Sequence, residues 1–150
     1  MLFRSLDLGC GEGRHAISAY MVNDVESVGI DLSLGDLETT RERFQEFVEP
    51  ENTSKSLVIS VASAESLPFA DESFDKIICS EVLEHIPDYR GVLDEIVRVL
   101  KPDGVLAISV PRSWPENICW YLSENYHKVD RKSTRLNSSH SSVSRMPSSA

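Results

Sequence analysis

Cysteine is scarce in this chain of 150 residues, and the three present, Cys10, Cys79 and Cys119, are odd in number and form no C-x-x-C pair. That excludes a disulfide framework and a cysteine-based zinc site, and leaves reduced thiols. Long apolar runs are lacking as well. Asp7 interrupts the only apolar run near the start, and no run approaches the roughly 18 residues of a membrane span. A cytoplasmic location with no membrane partner is the expectation. Basic residues fall short of acidic ones, 15 Lys and Arg against 24 Asp and Glu, for a net charge of −9. All of residues 131–150 contribute four basic side chains (Arg131, Lys132, Arg135, Arg145) and no acid, so residues 1–130 alone carry −13. A surface that acidic repels a phosphate backbone and argues against nucleic acid as a partner. Glycine is sparse too, but three of the seven fall within five residues, at Gly9, Gly11 and Gly13.

That cluster, Leu6-Asp7-Leu8-Gly9-Cys10-Gly11-Glu12-Gly13-Arg14, stands where an apolar run gives way to a helical pattern. A tight strand-to-helix turn demands backbone angles that a Cβ disfavours, and without side chains a ligand can lie against the main chain. Eighteen residues past Gly13 a second apolar run, Val28-Gly29-Ile30, ends in Asp31. An acid roughly 20 residues beyond a glycine loop is the position that grips a ribose diol in nucleoside-binding α/β folds. A dinucleotide fingerprint wants G-x-G-x-x-G, and its third glycine is Arg14 here, which weakens an NAD reading. A phosphate-binding Walker loop is excluded, since no Gly-Lys-Ser/Thr follows.

Apolar and amphipathic runs alternate to about residue 126, the pattern of a parallel sheet with crossover helices in one domain. Strands are predicted near 3–8, 26–31, 57–61, 74–79 and 104–110. The best-defined helix is 88–100, with Tyr89, Val92, Leu93, Ile96, Val97 and Leu100 on one face, Asp88 as its cap, and Asp94 and Arg98 four apart on the outer face. Lys101-Pro102-Asp103-Gly104 then turns the chain into a strand. A second helix is predicted over 34–48, with Leu34, Leu37, Phe44, Phe47 and Val48 on its buried face. The segment from Trp114 to Leu122 begins another helix, whose aromatics line an acceptor pocket or cover the edge of the fifth strand, with covering the preferred reading.

The loop D-x-G-x-G-x-G followed by Gly29-Ile30-Asp31-Leu32-Ser33 resembles the first two motifs of the class I S-adenosylmethionine-dependent methyltransferases. The stretch from Asp71 to Ile86, ending Cys79-Ser80-Glu81-Val82-Leu83-Glu84-His85-Ile86, resembles the fourth motif of those grouped with ubiquinone- and menaquinone-biosynthesis enzymes. The likeness runs from about residue 5 to 112. It implies a Rossmann-like open parallel sheet of order 3-2-1-4-5 with helices on both faces, S-adenosyl-L-methionine as cofactor, and a small-molecule methyl acceptor. It also implies roles. Asp7 orients the loop, Gly9, Cys10, Gly11 and Gly13 pass beneath the amino-acid end of the cofactor, Asp31 accepts from both ribose hydroxyls, and Leu32 packs on the adenine. Ser63, with Ala64 beside it, stands where the family carries an acid for the adenine amino group, which predicts weaker adenine selection by about 1 kcal/mol. Ser80, at a strand end, lies beside the transferable methyl, because ligands in such sheets bind at the carboxyl ends of strands.

Glu81, Glu84 and His85 have helical i, i+3, i+4 spacing, which would suit a divalent metal if a helix formed. Pro87 argues against that helix, and packing is the preferred reading; no metal is expected. His85 is the candidate general base for a hydroxyl acceptor. Methyl transfer itself demands little beyond in-line placement of the nucleophile. The rival readings are an NAD-dependent oxidoreductase and a non-catalytic nucleoside-binding module. From about Arg131 the chain holds eight serines in twenty residues, and residues 130–150 are predicted to be a disordered, non-native tail on a core of residues 1–129. The family's leading helix and last two strands are expected to be missing, which would leave the fifth strand as an open edge. Oligomeric state is left open.

Overall fold

A computed structural model of the chain describes residues 3–22, 25–126 and 141–145. In the first strand, β1 (Phe3–Leu8), Leu6 and Leu8 alternate with Ser5 and Asp7, and all four are buried. A strand buried on both faces belongs at the centre of a parallel sheet. Accordingly β1 pairs in parallel with β2 (Val25–Asp31) on one side and β4 (Phe74–Ser80) on the other. Next to β2 lies β3 (Ser56–Val61), and next to β4 lies β5 (Leu100–Ser109), both parallel. The predicted order 3-2-1-4-5 is the order observed, with one strand added beyond it.

That strand, β6 (Ser141–Arg145), pairs antiparallel with β5, Val105 opposite Arg145 and Ser109 opposite Ser141. Composition predicts no regular structure there. An edge strand presents a row of unsatisfied N–H and C=O groups, and backbone pairing is indifferent to serine content. The edge expected to be open is therefore paired along residues 105–109.

Helices α1 (Arg14–Val22), α2 (Leu34–Phe44) and α3 (Tyr89–Val99) form the crossovers, and α4 (Pro115–Tyr126) follows β5. Val92, Leu93, Ile96 and Val99 of α3 pack with Leu6, Leu8, Val28, Ile30, Ile77, Cys79, Leu106 and Ile108 in one core. Asp88 caps α3 as predicted, accepting from Gly91 N. Arg98, however, does not turn to Asp94. It pairs with Glu95 and Asp71, while Asp94 accepts from the Tyr121 hydroxyl of α4. Helix α4 thus lies on the core through Ile118 and against α3, while β6 pairs with the β5 edge at residues 105–109.

Two boundaries differ from expectation. Helix α2 ends at Phe44, not at residue 48, and Leu34, Phe47 and Val48 are exposed. Phe44 finds an apolar partner in the Tyr20 ring, 4.7 Å away. Strand β5 starts at Leu100 rather than 104. Its register with β4 jumps from Phe74↔Leu100 to Lys76↔Val105, so Lys101-Pro102-Asp103-Gly104 forms a wide bulge instead of a separate turn.

Candidate functional site

The glycine loop joins β1 to α1 at the carboxyl edge of the sheet. Cys10 N donates to Ile30 O at 2.9 Å and Gly13 N to Cys10 O at 2.8 Å, which ties the loop to β2 and closes it on itself. Asp7 Oδ2 accepts from Ala16 N at 3.0 Å, satisfying one of the free donors in the first turn of α1. Gly11 and Gly13 hold φ of +50° and +80°. A Cβ on Gly13 would come within 2.4 Å of Thr40 Cγ2, whereas one on Gly11 would meet nothing within 4 Å. The loop is closed on the α2 side and open at Gly11, where a ligand can reach the main chain.

Asp31 ends β2 beside that opening. Its Oδ2 accepts from Gly11 N at 2.9 Å and its Oδ1 from Ser33 N at 2.8 Å. A carboxylate has about four acceptor sites, so one on each oxygen remains for a pair of adjacent hydroxyls. Leu32 follows with an exposed side chain, a flat apolar surface next to those acceptors. Ser33 caps α2 through Asp36 N.

Burial shapes the electrostatics. Desolvation raises Asp7 to about 7 despite its bond from Ala16, with the charge of Asp31 adding to the rise. Burial, then the charge of Asp7, pushes the Cys10 thiol up to about 12, and burial likewise takes Cys79 to about 12. Both thiols are neutral and poorly nucleophilic near neutral pH.

At the end of β4, Ser80 lies opposite Ser109 of β5 and is half-buried. Glu81 turns the chain with φ +55°, its N–H donating to Ser109 O at 2.9 Å and its carboxylate accepting from the Ser109 hydroxyl. Leu83–His85 form a single 3₁₀ turn, and Ile86 before Pro87 is extended. The α-helical spacing that would gather Glu81, Glu84 and His85 is thus not realised. Among the described residues no three His, Cys, Asp or Glu side chains are grouped to hold a metal ion. Glu84 Oε2 is buried without a hydrogen-bond partner, and His85 is exposed. After β3, Ser63 Oγ accepts from Glu65 N at 3.2 Å, so the hydroxyl is already engaged in a local turn, with Ala64 packed against the core beside it.

Sequence reasoning missed one part of the site, the face of α2 that holds the loop. Thr40, fully buried, donates its hydroxyl to Gly11 O at 2.9 Å. Arg43 donates to Glu12 O at 3.1 Å and pairs with its carboxylate at 3.2 Å. The signal was a polar residue standing between Leu37 and Phe44 in an otherwise apolar stripe.

Sheet order, glycine loop and terminal aspartate together define a nucleoside-binding α/β domain. A family model described as a methyltransferase domain matches residues 6–108. The chain belongs to this family of class I S-adenosylmethionine-dependent methyltransferases. It is 37% identical over 105 residues to the 27-O-demethylrifamycin SV methyltransferase of Amycolatopsis mediterranei, covering 70% of this chain and 37% of that enzyme. The chain thus spans well under half the length of that curated relative. Among solved structures, the YcgJ protein of Bacillus subtilis superposes with a TM-score of 0.63 at 33% identity, covering 71% of this chain and 43% of that one. The [4+2]-cyclase SpnF gives 0.64 at 29% identity, with 72% and 38% covered. No helix among the described residues is long and apolar enough to cross a membrane.

Proposed function

We propose that the chain binds S-adenosyl-L-methionine at the glycine loop and serves the transfer of its methyl group to a small-molecule acceptor. The observation that carries this reading is Asp31. Its carboxylate is locked by the Gly11 and Ser33 N–H groups and keeps one acceptor site per oxygen facing the open side of the loop. The cofactor, when bound, supplies an electrophilic methyl group. The chain's own residues do the rest. Asp31 accepts the two ribose hydroxyls, Leu32 covers the adenine, and Ser63 and Ala64 border its far edge. Gly9, Cys10, Gly11 and Gly13 present main chain to the amino-acid portion, and Asp7 holds the loop through the first turn of α1. Ser80 borders the reacting end, where the carboxyl ends of β4 and β5 meet. His85, exposed one turn beyond, is the group that takes a proton from a hydroxyl acceptor. Alignment of acceptor and methyl carries most of the rate, as positioning alone supplies up to about 7–11 kcal/mol.

The residues fit no metal in this role, and the acidic surface favours a small molecule over nucleic acid. Residues 1–129 form the cofactor-binding core, supported by the family match over 6–108, with β6 adding an edge strand to its sheet. The absence of a membrane-crossing helix among the described residues supports a cytoplasmic site of action. Calorimetric titration of S-adenosylmethionine, S-adenosylhomocysteine and NAD tests the reading. Binding of the first two and not the third is expected, weakened at least about tenfold in Asp31→Asn, which exchanges one acceptor oxygen for a donor. Binding of NAD alone would establish the oxidoreductase instead.

A further inference from the structure

Helix α2 touches the glycine loop at two consecutive carbonyls. Thr40 Oγ1 donates to Gly11 O at 2.9 Å, and one turn later Arg43 Nη1 donates to Glu12 O at 3.1 Å. Thr40 is fully inaccessible to water, and loss of its hydroxyl would leave the Gly11 carbonyl with the weak Cys10 thiol donor at 3.8 Å in its place. The other side of the same glycine is held as well, since Gly11 N donates to Asp31 Oδ2 at 2.9 Å. In a planar trans peptide the C=O and the following N–H point in opposite directions, so tying Gly11 O to α2 also directs Glu12 N–H away from it. Thr40 Cγ2 meanwhile fills the space that a Cβ on Gly13 would need. One side chain therefore anchors the Gly11 carbonyl and packs against Gly13, on the same residue whose N–H holds Asp31.

We propose that Thr40 is a positioning residue for the nucleoside cofactor, acting through Gly11 on the carboxylate of Asp31, with Arg43 reinforcing the same grip from the next turn. The proposal rests on the cofactor reading above. It makes the crossover helix part of the binding site although Thr40 itself is fully buried beneath the loop. Because the hydroxyl matters for its bond and the methyl for its volume, the two functions can be separated by substitution.

The test is calorimetric titration of S-adenosylhomocysteine into the full chain, into Thr40→Val, which keeps the volume, and into Thr40→Ser, which keeps the donor. Thr40→Val is expected to bind about fivefold or more weakly, one hydrogen bond's worth, while Thr40→Ser stays close to the parent. Amide exchange read by NMR on the ligand-free proteins is expected to be faster at Gly11 in Thr40→Val alone. Equal affinity of Thr40→Val and the parent overturns the proposal, as does equal weakening by both variants, which would assign the effect to packing. Should Thr40→Val not fold, Arg43→Met at the exposed end of the grip decides. Weakened binding there supports the grip and unchanged binding overturns it. A folded parent chain that binds no S-adenosylhomocysteine overturns the cofactor reading and this proposal with it, an outcome distinct from a parent that binds and a valine variant that binds equally.

Discussion

Asp7 carries a carboxyl that water barely reaches, at 3% exposure, and that receives a single backbone N–H from Ala16. Desolvation outweighs that bond and lifts the group from 3.8 to about 7. A folded-state value above the unfolded one means that folding takes up a proton between the two. The contribution of Asp7 to stability is therefore full below about pH 4 and is lost as pH rises through about 7, by at most about 4 kcal/mol. Thermal melts should show the midpoint rising as pH is lowered from 8 to 6. In Asp7→Asn, which keeps an oxygen for Ala16 N–H and carries no charge, that slope should flatten, and an unchanged slope would place the titration elsewhere. At this scale Asp7 and Asp31 were legible in the sequence, because each stands at a fixed offset from the glycines. Thr40 was not, since spacing alone cannot distinguish a threonine that serves a neighbouring loop from one that interrupts an apolar stripe. Glu81 was visible as a strand-end acid, but its left-handed backbone, tied by Ser109 across two strands, rests on a contact 28 residues distant.

Helix α3 shows what local pattern can settle. Its apolar residues recur at three and four, its cap precedes them, and Gly91 receives Asp88 so closely that a Cβ there would lie 2.6 Å from Asp88 Oδ2. Asp88→Ala should lower the unfolding free energy by about 1 kcal/mol with an unchanged denaturant slope in urea. Helix α2 shows where pattern runs out. Phe47 and Val48 continue the spacing, yet helix bonding stops and i to i+3 contacts such as Phe47 N to Phe44 O take over. The deciding contact is again distant, the Tyr20 hydroxyl accepting from Glu49 N at 2.9 Å, which draws the chain away from the helix axis. The bulge of β5 has a similar cause. A Pro-Asp-Gly sequence reads as a turn, but Phe74 pairing with Leu100 before the segment and Lys76 with Val105 after it keep both ends in the sheet.

For the whole molecule, alternation of pattern located five strands and the family resemblance ordered them, and what escaped was the sixth. Its serine-rich composition carries no period, so its place follows from the vacancy beside β5 rather than from its own residues. Deleting residues 131–150 removes that pairing. The shortened chain should self-associate with rising concentration in sedimentation velocity, relative to the full chain, through the bared 105–109 edge. Unaltered sedimentation would show that the edge needs no such cover. The likeness to a [4+2]-cyclase as well as to methyltransferases also belongs here. One sheet with one glycine loop is compatible with more than one chemistry, and the acceptor side decides which.

The central position of β1 has a consequence for how the chain comes to be. Of the six strands described, β1 comes first in sequence, and it is flanked by β2, which follows soon after, and by β4, which begins only at Phe74. While synthesis proceeds, the β1-α1-β2 unit can assemble and close the glycine loop on Ile30 and Asp31, but Leu6 and Leu8 keep one flank bare until residues 74–80 have emerged. During that interval the nascent chain offers a strand that is destined for the core, with Ser5 to Leu8 all buried in the finished fold, to whatever is near. The glycine loop can thus take shape well before the strand that shelters it has been made.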